Sequence, residues 1–121
     1  FITEKGNSPF FDHFPELPNL SYEIDSVQKP LYHAWTSMAG NFSSFLIMEY
    51  VKKIKEMNLP GSLAKPYLSQ VLKNSLQSQS ALTGPIARGD NQTIQKHLDV
   101  LEENFKPLYQ SFVQLIREKA S

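Results

Sequence analysis

Apolar residues recur at every third or fourth position through most of the chain after residue 29. In residues 30–57 they are Leu31, Trp35, Met38, Phe42, Phe45, Leu46, Val51, Ile54 and Met57. This spacing is typical of one face of an α-helix. Pro30 suits the first turn of such a helix, and Pro60 followed by Gly61 suits its end. The pattern therefore predicts one long helix over residues 30–57, which we expect to pack against more than one neighbour.

Three further helices are predicted, so the expected fold class is mainly α. In the second helix Ser62 is the expected N-cap, and the residues expected to face inward are Leu63, Tyr67, Val71, Leu72 and Leu76. The third helix, residues 91–105, is capped by Asp90 and has an apolar stripe of Ile94, Leu98, Leu101 and Phe105. Pro107 either kinks this helix or separates it from the last one, whose stripe is Leu108, Phe112, Leu115 and Ile116.

Residues 1–29 follow a different pattern, with two strand-like tetrads at 1–4 and 21–24. Between them Ser8 is a plausible N-cap for a short helix that has Pro9 in its first turn. Two short strands seldom form a stable sheet alone, and the chain begins at Phe1 rather than Met. We therefore expect a piece of a longer protein, in which residues 1–29 end a neighbouring domain and residues 30–121 form an α-helical domain.

The composition excludes several classes of function. Twelve basic residues balance twelve acidic ones, whereas nucleic-acid binding needs a clustered basic surface. The absence of cysteine excludes disulfides and thiolate chemistry, and the longest apolar run, residues 45–48, is too short to cross a membrane. The three histidines share no metal-ligand spacing with each other or with a carboxylate pair. We expect a cytoplasmic protein without a metal, a membrane segment or a nucleic-acid partner.

Three polar residues in the long helix are candidates for chemistry. His33, Ser37 and Asn41 follow each other at intervals of four residues, so they drift slowly around one face and could line a pocket for a carbonyl or carboxylate group. In the alternative interpretation, His33 and Asn41 satisfy each other or nearby backbone groups at a helix crossing. A nucleophilic Ser37–His33 pair is disfavoured, because no G-x-S-x-G sequence surrounds the serine. His13 and His97 are isolated, and His97 is expected to face solvent or an interface.

The stretch ALTGPIARGD, residues 81–90, is predicted to be a turn that leads into a helix cap. Gly84 and Gly89 permit backbone conformations that are closed to other residues, Pro85 fixes its own φ angle, and Asp90 caps the following helix. The tripeptide Arg88-Gly89-Asp90 matches an adhesion motif, but a match of three residues arises often by chance.

Two segments together carry a family resemblance. LYHAWTSMAGNF (31–42), followed by ALTGPIARGDNQTIQKHL (81–98), resembles the C-terminal half of a bacterial family in which a Rossmann-like NADP-binding domain precedes an α-helical domain of unknown function. The matching residues are Leu31, His33, Ala34, Asn41, Thr83, Gly84, Pro85, Arg88, Gly89, Asp90, Thr93, His97 and Leu98. Trp35 and Gly40 depart from the family pattern, which more often has alanine and serine there. The resemblance extends over essentially the whole chain.

The resemblance implies a relative of pyrroline-5-carboxylate reductase, ketopantoate reductase and the 6-phosphogluconate dehydrogenase superfamily. Its helical bundle would close one side of a nicotinamide cleft, contact a small carbonyl or imine substrate and form a homodimer. NADP would be bound by the N-terminal Rossmann-like domain and by no residue of this chain, so the chain alone would not be catalytic.

The resemblance also implies roles for individual residues. The catalytic candidates are His33 and Asn41, and the substrate-binding candidates are Ser37, Thr83, Gly84, Arg88 and Asp90. The alternative is a non-catalytic helical dimerisation or interaction module.

Overall fold

The structure is a computed structural model that describes residues 2–6, 16, 22–77 and 82–120. Its contacts divide the chain into two compact units, Phe1–Ala64 and Lys65–Ser121, called below the first and second unit. The predicted short helix capped by Ser8, and His13, lie outside the described residues. The mainly helical fold class predicted from the periodicity is confirmed. The predicted boundary between residues 29 and 30 stays a prediction.

The first unit begins with two short strands, β1 (Ile2–Glu4) and β2 (Tyr22–Ile24), as the sequence pattern predicts. The strands pair in parallel, with Ile2 opposite Tyr22 and Glu4 opposite Ile24. Parallel strands cannot be joined by a tight hairpin and need a crossover connection. This pairing therefore agrees with a strand, connection, strand arrangement for the beginning of the chain.

A helical run follows, made of α1 (Lys29–Ser37), a π-helical segment (Met38–Phe42) and α2 (Ser43–Glu56). Pro30 lies in the first turn, where its missing N–H would have had no partner in the helix. The long helix predicted from the periodicity is thus confirmed, except that its π-helical segment was not predicted. A π segment closes its turns by i→i+5 hydrogen bonds and is rare, and the spacing of apolar residues gives no sign of it.

The run ends in a Schellman motif centred on Asn58. Asn58 has a φ of 59°, the left-handed conformation that commonly ends helices and that asparagine tolerates. Its N–H donates to the Lys55 carbonyl at 3.0 Å, and the N–H of Leu59 donates to the Ile54 carbonyl at 3.1 Å. These two bonds satisfy carbonyl groups that the end of a helix leaves without partners.

A 3₁₀ turn (Gly61–Leu63) leads into α3 (Ala64–Gln77). The prediction of Ser62 as the N-cap is wrong, because Ser62 lies inside the 3₁₀ turn and makes no side-chain cap. The extended residue before the turn is Pro60, whose carbonyl accepts a hydrogen bond from the Leu63 N–H at 3.0 Å. A 3₁₀ turn at a helix start satisfies the first N–H groups through backbone carbonyls, without a capping side chain.

The second unit contains α4 (Asn91–Val100) and α5 (Lys106–Ala120). Of the two predictions for Pro107, separation of two helices is confirmed, and the proline lies in the first turn of α5. The helix predicted to reach Phe105 ends five residues earlier, since Leu101 is extended with a ψ of 143°. Residues 101–105 form a turn, in which the Phe105 N–H donates to the Glu102 carbonyl at 2.9 Å.

The apolar stripes predicted for the first, second and last helices are largely exposed, whereas the stripe predicted for the third helix is buried or half-buried at Ile94, Leu98, Leu101 and Phe105. Among the described residues the buried apolar side chains are those of Ile54, Ala64, Ile94 and Val113. The prediction that the stripe of α3 faces inward is wrong: Leu63, Tyr67, Val71, Leu72 and Leu76 are all exposed. Periodicity identifies the apolar face of a helix, but it contains no information about whether the same chain supplies a surface to cover that face.

Replacement of Ile94 by alanine should destabilise the second unit. Ile94 is one of the few buried side chains described there, and truncation of a buried isoleucine to alanine costs about 2–5 kcal/mol. Chemical denaturation of wild type and of Ile94→Ala measures this loss, with Ile94→Val expected to lose about 1 kcal/mol. Replacement of the exposed Gln92 by alanine is the matched control, and equal losses for Ile94→Ala and Gln92→Ala would contradict the burial of Ile94.

Candidate functional site

The three polar candidates of the helical run are exposed and lie on consecutive turns. His33 and Ser37 belong to α1, and Asn41 belongs to the π segment. No hydrogen bond joins His33 to Asn41 within the part of the chain that the structure describes. Their side chains are therefore open to a partner from outside the described residues. We call His33, Ser37 and Asn41 the polar row.

The π segment changes the alignment of the polar row. In a regular α-helix of 3.6 residues per turn, a residue eight positions after His33 would be rotated by about 80° from it. A turn closed by i→i+5 bonds contains more residues, so each residue advances by a smaller angle. The π segment (Met38–Phe42) therefore turns Asn41 back toward the face that carries His33 and Ser37. The spacing of four residues predicts a slow drift, whereas the observed helix keeps the row close to one line.

An apolar stripe lies on the opposite side of the same helices. Trp35 follows His33 by two residues, which places it on the other side of α1, and it is 59% exposed. The members of the stripe are Leu31, Trp35 and Met38, all exposed; Phe42, also exposed, follows Asn41 and lies about a quarter-turn from the polar row. The polar row and the apolar stripe thus face different surroundings, and a single partner on one side of the helix cannot cover both.

The helical run is also free of charge over most of its length. Residues 30–48 contain no aspartate, glutamate, lysine or arginine, and each of these residues is exposed. A helix that meets only water normally presents a charged or polar face. We call residues 30–48 the charge-free segment, and its composition indicates contact with other protein rather than with solvent.

The loop of residues 82–90 is held by its own backbone. The Arg88 N–H donates to the Gly84 carbonyl at 3.3 Å, and the Asp90 N–H donates to the Pro85 carbonyl at 2.9 Å. Gly84 and Gly89 have φ angles of 96° and 68°, in the left-handed region that favours glycine. A Cβ atom at either glycine would meet nothing within 4 Å. The loop therefore needs these glycines for their conformation and not for space, as predicted.

Asp90 caps α4 with both carboxylate oxygens, which confirms the predicted cap. Its Oδ1 accepts from the Thr93 N–H at 3.0 Å, and its Oδ2 accepts from the Thr93 hydroxyl at 2.7 Å. The Thr93 N–H, followed by the Thr93 hydroxyl, holds the pKa of Asp90 below its ordinary value of 3.8. The charges of Arg88 and Lys96 lower this pKa further, while partial burial opposes the shift. Asp90 is thus an ionised cap at neutral pH.

Arg88 is an exposed cationic residue of the loop. Within the described ranges no carboxylate lies at ion-pair distance from its guanidinium group. Thr83 is also exposed, whereas Gly84 is half-buried. A guanidinium group can bind a carboxylate through two parallel hydrogen bonds, so Arg88 is available for such contact.

The predicted site residues fall in two units. The polar row belongs to the first unit, and the loop candidates Thr83, Gly84, Arg88 and Asp90 belong to the second. The structure brings His33, Ser37 and Asn41 together on one helix face and brings the loop candidates together in one turn.

His97, expected to face solvent or an interface, is half-buried and has a partner within the second unit. Its Nδ1 lies 2.8 Å from the Tyr109 hydroxyl, and the two rings meet edge to face with centroids 5.8 Å apart. The pair links α4 to α5, as does a second hydrogen bond from Arg117 to Asn91. The turn at residues 101–105 brings His97 next to Tyr109. No pattern in the sequence predicts this contact.

Several kinds of site are missing from the described residues. Those residues contain no group of three histidine, aspartate or glutamate side chains that could hold a metal ion. No helix within the described ranges is long and apolar enough to span a membrane. β2 is followed by Asp25-Ser26-Val27-Gln28, whereas a dinucleotide-binding loop needs clustered glycines at that point. The described residues therefore do not fit an NADP phosphate site.

Comparisons with known proteins place these features in a family. The family described as Domain of unknown function (DUF2520) matches residues 11–116. A crystal structure from Bacteroides fragilis, of a protein provisionally named an NADP oxidoreductase, is 26% identical, with a TM-score of 0.73 over 83% of this chain and 40% of that one. Protein TM1727 from Thermotoga maritima is 30% identical, with a TM-score of 0.68 over 83% of this chain and 43% of that one.

The chain therefore spans less than half the length of these two solved relatives. No curated protein gives a significant match. The family resemblance inferred from residues 31–42 and 81–98 is confirmed.

The Asp90 cap should stabilise the protein in a pH-dependent way. Because the pKa of Asp90 is lower in the folded state, its contribution is fully present above the unfolded pKa and is lost as pH falls through the folded pKa. Asp90→Asn should therefore lower the Tm at neutral pH, and the difference from wild type should shrink below about pH 4. Thermal melts across this range test the effect. A Tm difference that is the same at every pH would contradict it, and Asp99→Asn, on the same helix, is the control.

Proposed function

Because the chain belongs to the family of Domain of unknown function DUF2520, we propose that it is the substrate-binding and dimerisation domain of an NAD(P)-dependent oxidoreductase. The proposed reaction is reduction of a small carbonyl or imine compound in the cytoplasm. The observation that carries the proposal is the exposed polar row on a helix of a fold shared with a provisionally named NADP oxidoreductase.

The proposed domain organisation follows from the length of the relatives. Since the chain covers only 40% and 43% of the two solved relatives, a Rossmann-like N-terminal domain is its proposed partner within the same protein. Residues 1–29 would be the end of that domain, and residues 30–121 would be the helical domain. The parallel pairing of β1 with β2 supports this division, because parallel strands are typical of Rossmann-like sheets.

In this proposal the chain binds and orients the substrate and supplies a proton. The hydride chemistry belongs to the nicotinamide cofactor, NADP by the name of the relative. The His33 imidazole would donate a proton to the alkoxide or amine that develops on the substrate. Asn41 would hold a second polar group of the substrate through its side-chain amide, which can both donate and accept hydrogen bonds. Ser37 lies between them and would contact the substrate through its hydroxyl group.

The loop of the second unit is proposed to recognise an acidic group on the substrate. Arg88 would bind a carboxylate through its planar guanidinium fork, supported by its exposure and by the rigid loop backbone. Thr83 and Gly84 would add hydrogen bonds from the same loop. Asp90 would act mainly through the cap, because both of its oxygens already accept hydrogen bonds from Thr93.

Homodimerisation is supported by the charge-free segment. A symmetric dimer places the same patch of both copies in contact, and a patch without charge can meet its own copy without repulsion. The apolar stripe of Leu31, Trp35 and Met38 would supply the buried area.

This exposed surface equally favours a second candidate function, a non-catalytic dimerisation or interaction module. A strand followed by G-x-G-x-x-G in the residues that precede this chain would favour the enzyme. Titration of the intact protein with NADPH and with NADH, followed by quenching of cofactor fluorescence, is the decisive experiment. Saturable binding is expected, with NADPH the tighter ligand, and a failure of both cofactors to bind would leave the interaction module.

His33→Ala should reduce turnover without loss of stability. Removal of a proton donor typically lowers kcat about 10²- to 10⁴-fold, whereas the exposed His33 side chain contributes little to packing. Steady-state kinetics of NADPH oxidation by the intact protein measure the loss. Tyr32→Phe, an exposed neighbour outside the polar row, should keep wild-type turnover. Unchanged kinetics in His33→Ala would exclude His33 from proton transfer.

Trp35→Lys should convert a dimer into monomers. The substitution places a charge in the middle of the apolar stripe, and the repulsion between two symmetry-related copies should raise the dissociation constant about 100-fold or more. Light scattering over a range of concentrations measures the effect, with helicity checked by circular dichroism. Lys52→Gln, at the charged end of α2, is the control that should stay dimeric. A wild-type protein that is monomeric at high concentration would contradict the proposed dimer.

A further inference from the structure

The π segment interrupts the helical run at the point where the polar row continues from α1. Met38–Phe42 lies between Ser37 and the start of α2, and Asn41 is inside it. A π turn replaces the regular i→i+4 hydrogen bonds of the α-helix by i→i+5 bonds. Such turns are rare and occur frequently at functional sites. No packing requirement accounts for it among the described residues, because every residue of the segment is exposed and a Cβ at Gly40 would meet nothing within 4 Å.

From this placement we propose that the π segment is a positioning device that aligns Asn41 with His33 and Ser37, so that the polar row contacts one elongated ligand. The inference rests on the proposed function and specifies its substrate. Without the π turn, Asn41 would lie about 80° away from His33. With it, the imidazole, hydroxyl and amide groups follow one another along a single face.

The length of the row indicates the class of ligand. Eight residues at 1.5 Å each separate His33 from Asn41 by about 12 Å along the helix axis. A two- or three-carbon compound cannot reach both ends. The ligand expected is therefore a substrate with a polar group at each end: its reducible carbonyl or imine lies at His33, and a carboxylate or amide lies toward Asn41. Both a carboxylate and an amide are hydrogen-bond acceptors for the Asn41 amide group.

Two single-residue deletions separate alignment from general damage to the helix. Deletion of Ala39 removes one residue from the π segment, and deletion of Ser43 removes the residue that directly follows it; we expect each deletion to let the run continue as a regular α-helix. After deletion of Ala39, the asparagine follows His33 by seven residues and stays about 20° from it. After deletion of Ser43, the asparagine still follows by eight residues and lies about 80° away. Ser44 then takes the place of Ser43, so the side-chain chemistry at the junction is preserved.

The deletions are tested in the intact protein with NADPH and three oxo acids: 2-oxobutyrate as the short compound, and 2-oxosuberate and 2-oxosebacate as compounds whose length approaches the separation of about 12 Å. Wild type is expected to prefer the compounds with two carboxylates. Deletion of Ser43 should lower kcat/KM for them about tenfold, the value of one lost hydrogen bond of about 1.4 kcal/mol. Deletion of Ala39 should stay within about threefold of wild type. Equal losses in the two deletions, or a preference for 2-oxobutyrate, would overturn the assignment.

Cross-linking tests the alignment without any ligand or turnover. The 121 residues contain no cysteine, so cysteine pairs can be introduced after any cysteine elsewhere in the intact protein is replaced by serine. A rigid bis-maleimide that spans two helical turns should bridge His33→Cys/Asn41→Cys at least about threefold faster than His33→Cys/Gly40→Cys. A regular α-helix would give the opposite order, because position 40 would then face position 33.

The two experiments fail in different ways. The opposite cross-linking order overturns the alignment but leaves the proposed oxidoreductase function standing. An intact wild-type protein that binds neither nicotinamide cofactor and reduces none of the oxo acids overturns the proposed function, and the substrate role of the row with it.

Discussion

The main constraint on this structure is the helical run from Lys29 to Glu56, whose large apolar side chains are mostly exposed. Its residues 30–48 bear no charge and are exposed throughout, although they include a tryptophan, phenylalanines and other large apolar side chains. Exposed apolar area of this extent is unfavourable in water and marks surfaces that meet other protein. The family relationship gives a physical reason for it, since the match covers only 40% and 43% of the two solved relatives.

In the second unit, by contrast, interactions between residues that are near each other in sequence account for most of the structure. Asp90 and Thr93 hold the start of α4 through two hydrogen bonds. The His97–Tyr109 contact joins the end of α4 to α5. Two glycines with positive φ let the loop turn within a few residues. Each of these interactions spans a short stretch of sequence, so the second unit presents Arg88 from a loop whose conformation is already fixed.

The chemistry of the candidate site depends on what each side chain already does. Asp90 is committed to a helix cap, and His97 is committed to Tyr109, so neither is the first choice for contact with a ligand. His33, Ser37 and Asn41 have no such commitment among the described residues, and Arg88 has no ion-pair partner there. The side chains of His33, Ser37 and Asn41 are thus open to a ligand, whereas those of Asp90 and His97 already have partners.

The sequence by itself determined the helical class, the parallel-compatible strands at the beginning, the Asp90 cap and the special glycines of the loop. These features arise from interactions between residues within a few positions of each other, so periodicity and capping rules can detect them. It also identified the family, through the resemblance of residues 31–42 and 81–98. The predicted burial of the apolar stripes was wrong for Leu63, Tyr67 and Leu72, since the sequence of one chain does not state what covers a helix face.

Only the tertiary structure decided three matters. It placed a π turn at Met38–Phe42, which depends on backbone hydrogen bonding that side-chain patterns do not encode. It ended α4 at Val100, which brought His97 against Tyr109 across a turn. It left the polar row and the apolar stripe on opposite sides of one helix. Small changes in helical phase decide which side chains share a face, and this phase is a property of the folded backbone rather than of residue spacing.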